Sequence, residues 1–181
     1  MADRRHEDPR REDAIALLTT DHRTVENLFA SHFHSRDRAR CARLEGRLCT
    51  ELRIHMAVMD ELFYPALDGR IDARLLRRGR AAHDGARRLI REIETAAAGD
   101  GRRAARIDRL ARRIGRLIRA EEAPARGLFA RSRAAGVDLA ALGGRIRSRR
   151  EELALRAERD GLPPPDPAPG PAAAPFPFSA R

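Results

Sequence analysis

The chain has 181 residues, of which 42% are hydrophobic, 4% aromatic and 35% charged, a length that suits one domain with tails. Its formal net charge is +10 and every one of the 37 Lys/Arg positions is arginine. The arginines are interleaved with acids and lack aromatic companions, so no base-stacking nucleic-acid platform is expected. No run nears the roughly 18 apolar residues of a membrane span, and the N-terminus lacks a signal-peptide core, which predicts a cytoplasmic protein without membrane contact.

Residues 1–11 read as a charged, disordered leader. A first helix is predicted over about 12–34, with the apolar seam Ile15, Leu18, His22, Val25, Phe29. A second follows over about 38–67, with Leu48, Leu52, His55, Met59, Leu62 and Ala66 on one stripe. It carries both cysteines, Cys41 and Cys49, eight residues and so ~12 Å apart, too far for a disulfide. The third helix, about 71–98, aligns Leu76, Gly79, His83, Ala86, Ile90 and Ile93. The fourth, about 102–131, aligns Leu110, Ile114, Leu117, Glu121, Ala125 and Leu128. Pro124 lies inside that pattern and predicts a kink near 120–124. Gly136 breaks the chain, and Asp138 caps a shorter fifth helix to about 160, with Leu139, Leu142, Ile146 and Leu153 inward. After Gly161 the Pro/Ala-rich run 161–181 has little to bury and reads as a disordered tail.

Alanine, leucine, arginine and glutamate dominate and strand signals are nearly absent. The predicted fold is all-α: residues 12–160 form an antiparallel up-down four-helix bundle with a short fifth C-terminal helix. In an antiparallel hairpin, residues equidistant from the turn lie side by side. His22 and His55 reflect about a point just after Ser35-Arg36-Asp37-Arg38, and His55 and His83 reflect about Gly69. The three seam histidines therefore sit level. Reflecting His83 about Asp100 lands on Leu117, and the nearest polar residue of that seam is Glu121, about one turn on. His22, His55, His83 and Glu121 are the candidate metal ligands, because inward His and Glu from several helices are how bundles hold transition metals. His32 and His34 suit the C-terminal dipole of the first helix, and His6 belongs to the leader. Tyr64 is expected to pack its ring at the helix end with its hydroxyl at the surface.

Three stretches carry a family resemblance. Asp21-His22-Arg23-Thr24-Val25 through Leu28-Phe29, His55 through Asp60-Glu61-Leu62-Phe63-Tyr64-Pro65, and His83 with Leu89-Ile90 resemble the first three helices of hemerythrin-like HHE cation-binding domains. Ala134-Ala135-Gly136-Val137-Asp138-Leu139 resembles the C-terminal segment of that family, and the likeness spans about 13–155. The resemblance implies a four-helix bundle around a non-haem di-iron centre, with terminal histidines from all four helices and two bridging carboxylates. Its members bind dioxygen, sense oxygen or iron, or serve in stress responses.

This chain departs from that pattern at the chemistry. Met59 stands where the family has the glutamate four residues after the second-helix histidine, and the possible partners of His83 are Gly79 and Arg87. On the fourth helix the family histidine falls at Ala120 and the bridging carboxylate at Ala125. Without bridges, two adjacent cations lack the negative charge that offsets their repulsion, so a di-iron centre is not expected. The reading is a degenerate member, a non-catalytic structural or regulatory protein with no cofactor. One alternative is a non-haem iron protein with a reduced His22/His55/His83 site, holding a single Fe or Zn with Glu121. Another is an arginine-rich module that binds an anionic partner weakly.

Overall fold

The computed structural model describes residues 13–97 and 100–160. The leader and tail expected at the two ends lie outside the described residues. Within them every regular element is helical: α1 Ala14–His34, α2 Arg38–Val58, α3 Tyr64–Leu67, α4 Ala73–Glu94, α5 Arg103–Glu122, α6 Leu128–Ala134 and α7 Leu139–Arg159. Four of the helices open on aspartate. Asp13, Asp37, Asp72 and Asp138 accept from the backbone N–H groups of Ala16, Ala39, Arg74 and Ala141 at 2.8–2.9 Å, satisfying donors the first turn leaves free.

α2 and α3 are one continuous rod with a π turn, Met59–Phe63, between them, in which Tyr64 N–H bonds the Met59 carbonyl. Pro65 is the physical reason. Its ring needs room at the carbonyl of the preceding turn, and the wider π turn supplies it. The extra residue rotates the rod so that Met59, Phe63 and Tyr64 are all fully buried.

α5 departs from expectation. The proline does not kink a long helix but ends it at Glu122. Residues 123–127 form a compact loop in which Arg126 N–H bonds the Pro124 carbonyl at 2.7 Å, a γ-turn centred on Ala125 at φ +59°. Gly127 then brings the chain against the end of α5; a Cβ there would stand 2.5 Å from the Glu121 carbonyl oxygen. α6 begins after this loop.

The helices pack as an antiparallel bundle, α1 against α2, α4 against α5, and α7 laid across α1 and α2. The core has two apolar compartments. One holds Val25, Phe29, Leu52, Met56, Ala86, Ile90, Ile114 and Ile118. The other holds Ile15, Leu18, Val58, Met59, Phe63, Tyr64, Leu76, Leu128, Phe129 and Ile146. On each of α1, α2, α4 and α5 one residue falls between the two groups, and each is polar: His22, His55, His83 and Glu121. No described helix is long and apolar enough to cross a membrane.

Candidate metal centre

Each of these four side chains is at most 4% exposed. Burying a polar group without a partner costs about 1–3 kcal/mol, so the partners of each ring nitrogen and carboxylate oxygen decide what the layer can do.

His22, on α1, stands between two neighbouring glutamates at the end of α5. Its Nδ1 lies 2.6 Å from Glu122 Oε1. Its Nε2 lies 3.1 Å from Glu121 Oε2, an ion pair that does not meet hydrogen-bond geometry. Burial alone would strip the proton from His22, but the two carboxylates outweigh it and push the pKa up to about 9. Glu122 also pairs with Arg23, and burial, which opposes its charge, is overcome by His22 and Arg23, so its carboxyl stays below the ordinary range.

His55 is organised differently. Its Nδ1 sits 3.2 Å from Asp21 Oδ2, and Asp21 in turn meets Arg150 of α7 at 2.6 Å. A carboxylate held by arginine accepts, so Nδ1–H donates and Nε2 is the bare nitrogen turned inward. Burial lowers the pKa of this ring, Asp21 opposes it, and the charge of His22 adds to the lowering. His55 is therefore neutral, the state a metal ligand requires.

His83 lies one step back. Its Nδ1 is 3.5 Å from Tyr64 Oη and 4.0 Å from Asp60 Oδ1, and its Nε2 is 3.8 Å from Glu121 Oε1. Glu121 closes the layer. Burial works against its charge, but the His22 ring beside it, with His83 and His55 behind, holds its carboxyl below the usual range.

One ligand atom from each of His22, His55 and Glu121 lies within 4.8 Å of the others. Atoms sharing one tetrahedral ion through ~2.1 Å bonds stand about 3.4 Å apart, so the triad must close by up to about 1.4 Å to hold one. An apolar void of about 10 Å³ borders His22 and His55 beside Leu52 and Ile118, room for no more than one water-sized group.

A bridged pair of ions does not fit these residues. Met59 belongs to an apolar compartment. Ala120 is exposed, and Ala125 lies off the helix in the exposed loop at positive φ. Position 79 is blocked as well: a Cβ on Gly79 would stand 2.5 Å from Tyr64 Oη. This also corrects the expectation for Tyr64. Its hydroxyl is not at the surface; the residue is 0% exposed, with the Arg80 guanidinium 5.1 Å from its ring centroid and the His83 ring 5.6 Å away. The π turn swings the ring inward, and the missing Gly79 side chain makes space for it.

Sequence reasoning weighed Glu122 only as a possible replacement for a missing bridge and passed over Asp21 and Arg150; all three orient the triad. Asp21 and Glu122 had a readable signal, since each is an acid adjoining a seam residue, His22 or Glu121. Arg150 had none, because nothing local says that α7 crosses α1 at that point. His32, assigned only to the helix dipole, also meets Glu45 at 2.9 Å.

The family described as hemerythrin HHE cation binding domain matches residues 13–124, and the chain belongs to that family. No curated protein and no solved structure matches the chain.

Proposed function

We propose that this member of the hemerythrin HHE cation-binding family binds one divalent transition-metal ion through His22 Nε2, His55 Nε2 and a carboxylate oxygen of Glu121, with His83 Nε2 as a fourth donor. Its role is binding or regulation rather than catalysis. The observation that carries this is a convergence of unsatisfied atoms. Nε2 of His22, His55 and His83 and both oxygens of Glu121 are buried and none makes a hydrogen bond; His22 Nε2 and Glu121 Oε2 meet only as an ion pair at 3.1 Å. Imidazole nitrogen with one carboxylate is the donor mixture that Zn²⁺ and Fe²⁺ accept. The missing bridges limit the site to one ion, and the 10 Å³ void beside it has no room for an organic substrate. A bound ion would supply a Lewis-acidic centre; Asp21, held by Arg150, orients His55 toward it.

The test is chelator-stripped protein titrated with Zn²⁺, or with Fe²⁺ under anaerobic conditions. One equivalent per chain is expected. At 100 times the dissociation constant, a ligand of the folded state alone adds ~2.7 kcal/mol, a rise in melting temperature of about 5–10 °C for a domain of this size. His55→Ala and Glu121→Gln should abolish that rise. Zero or two equivalents would overturn the reading.

A further inference from the structure

A second polar feature lies away from the metal layer, where the start of α4 meets the 123–127 loop and α6. It is a cleft of about 430 Å³ lined by Arg70, Arg74, Arg78, Arg126 and Arg131, with Asp72 as its one acid. All five arginines are exposed, and none forms an ion pair with another described residue. Asp72 is already engaged, its Oδ1 accepting from Arg74 N–H at 2.8 Å as the cap of α4. Several arginines elsewhere are paired: Arg53 with Glu94, Arg87 with Asp60 and Asp84, Arg103 with Glu45, Arg149 with Glu61 and Glu152; the cleft differs in gathering five around one hollow. Five like charges around one hollow repel one another and focus a positive potential there, which a bound anion would offset.

The backbone presents one of these arginines in a fixed position. Arg126 follows the γ-turn at Ala125, a non-glycine residue at φ +59°, and the Arg126 N–H is tied to the Pro124 carbonyl at 2.7 Å. Gly127 then locks the loop to the end of α5, where a Cβ would meet backbone atoms at 2.5–2.6 Å. Backbone strain of this kind costs roughly 1–3 kcal/mol and persists where surrounding structure enforces it. Arg74 and Arg78 are four apart on α4 and so share a face. The arginines thus come onto one hollow from four segments, the turn before α4, α4, the 123–127 loop and α6, with the apolar side chains of Ile71 and Leu75 also lining it.

We infer that this cleft binds a compact polyphosphate anion, a group with at least two linked phosphates, through the forked guanidinium donors of Arg70, Arg74, Arg78, Arg126 and Arg131. Planar guanidinium forks match phosphate oxygens two at a time, and a linked di- or triphosphate presents the charge density that five arginines answer. A nucleic-acid strand fits less well. The residues lining the hollow include no aromatic side chain on which a base would stack. The inference is independent of the metal site, with which it shares no residue.

The test is calorimetric titration of the full chain at low salt with inorganic triphosphate, with ATP free of divalent cation, and with sulfate. Triphosphate should bind saturably at one site, far more tightly than sulfate, and weaken as salt rises. The double variant Arg78→Ala/Arg126→Ala should lose about tenfold or more in affinity with an unchanged melting temperature, because both side chains are exposed. Arg109→Ala/Arg116→Ala, on α5 outside the cleft, should lose much less. Equal affinities for triphosphate and ATP mean that the phosphates alone are read; a gain for ATP that Ile71→Ser removes means that the apolar lining takes the organic part. No saturable binding, equal losses in the two double variants, or tighter binding of duplex DNA at the same arginines would each overturn the inference.

Discussion

Gly79→Ala tests whether Tyr64 occupies the space in which a second ligand would lie. In an exposed helix interior this substitution stabilises by ~1 kcal/mol, because alanine favours the helix and glycine does not. At position 79 the new methyl would stand 2.5 Å from Tyr64 Oη, 3.1 Å from Cζ and 3.3 Å from Cε1. The ring cannot swing away: it is fully buried, with His83 on one side and Arg80 over its face. Overpacking of this kind costs about 1–3 kcal/mol, which cancels or exceeds the propensity gain. The net effect runs from neutral to a loss of roughly 2 kcal/mol. Gly144 on α7 is the internal control, since a Cβ there meets nothing within 4 Å. Gly144→Ala should therefore stabilise by ~0.5–1 kcal/mol. Urea unfolding of both variants reads the difference directly, with a midpoint shift at constant slope. Adding Tyr64→Phe to Gly79→Ala should recover part of the loss, since it removes the nearest atom but leaves the ring carbon. If Gly79→Ala stabilises as much as Gly144→Ala, Tyr64 does not fill that space and the argument against a second ion fails.

Three further outcomes follow from other parts of the molecule. In metal-free protein, His22 titrates near 9 when folded against an ordinary 6.5, so its stabilisation is complete below pH 6.5 and fades as pH rises to about 9. The loss is roughly 3 kcal/mol, visible as a falling melting temperature over that window and absent in Glu121→Gln/Glu122→Gln. Ala125→Gly should stabilise by ~0.5–1 kcal/mol, because a left-handed conformation costs alanine about 1–2 kcal/mol and only part of that returns as lost chain entropy; a destabilised variant in thermal melts contradicts the γ-turn. Cys49 is buried, and burial pushes its thiol up to about 12, with the nearby Glu94 charge adding, whereas Cys41 is half-buried. A thiol reagent at pH 8 should thus label Cys41 alone in native protein and both after denaturation, as read by mass spectrometry.

Residues that repeat along a helix were legible in the sequence. Period-3.6 seams identified the bundle and set His22, His55 and His83 level, because their reflection about the loops needs only residue counting. The Asp138 cap of the last helix was equally local; those of Asp13, Asp37 and Asp72, just as local, were not read from the sequence. What was not legible depends on events between elements. The break after Glu122 is an example: a proline alone predicts a kink, and the complete stop needs Ala125 at positive φ and Gly127 pressed onto the Glu121 carbonyl, contacts that exist only when the loop has folded back. Tyr64 is another. From α-helical spacing its hydroxyl faces solvent, but one extra residue in the π turn rotates it under Gly79. Arg150 reaches Asp21 from nearly the far end of the chain, and the five arginines of the α4–α6 cleft are scattered over 70–131. Their sum is visible in the composition, but their convergence is not.

If the layer binds metal as proposed, its charges explain why one ion would suit it. Without metal, the positive charge of the layer is the second proton of His22, held there by Glu121 and Glu122, while His55 stays neutral. A divalent ion bound at His22 Nε2 would take the place of that proton, so the layer would gain one net positive charge, and Glu121, whose two oxygens make no hydrogen bond and face the His22 and His83 rings, is the group positioned to receive it. A second divalent ion would add two more charges with no carboxylate to meet them, because the positions from which the resemblance would draw bridges are Met59, inside the apolar core, and Ala125, outside the helix. The repulsion of two adjacent cations would then fall on the single carboxylate of Glu121. The departures from the family pattern are therefore not separate losses. Gly79 with Tyr64, Met59, and the loop at Ala125 each remove a donor from the same side of the layer, and His22, His55 and Glu121 are what the remaining side keeps.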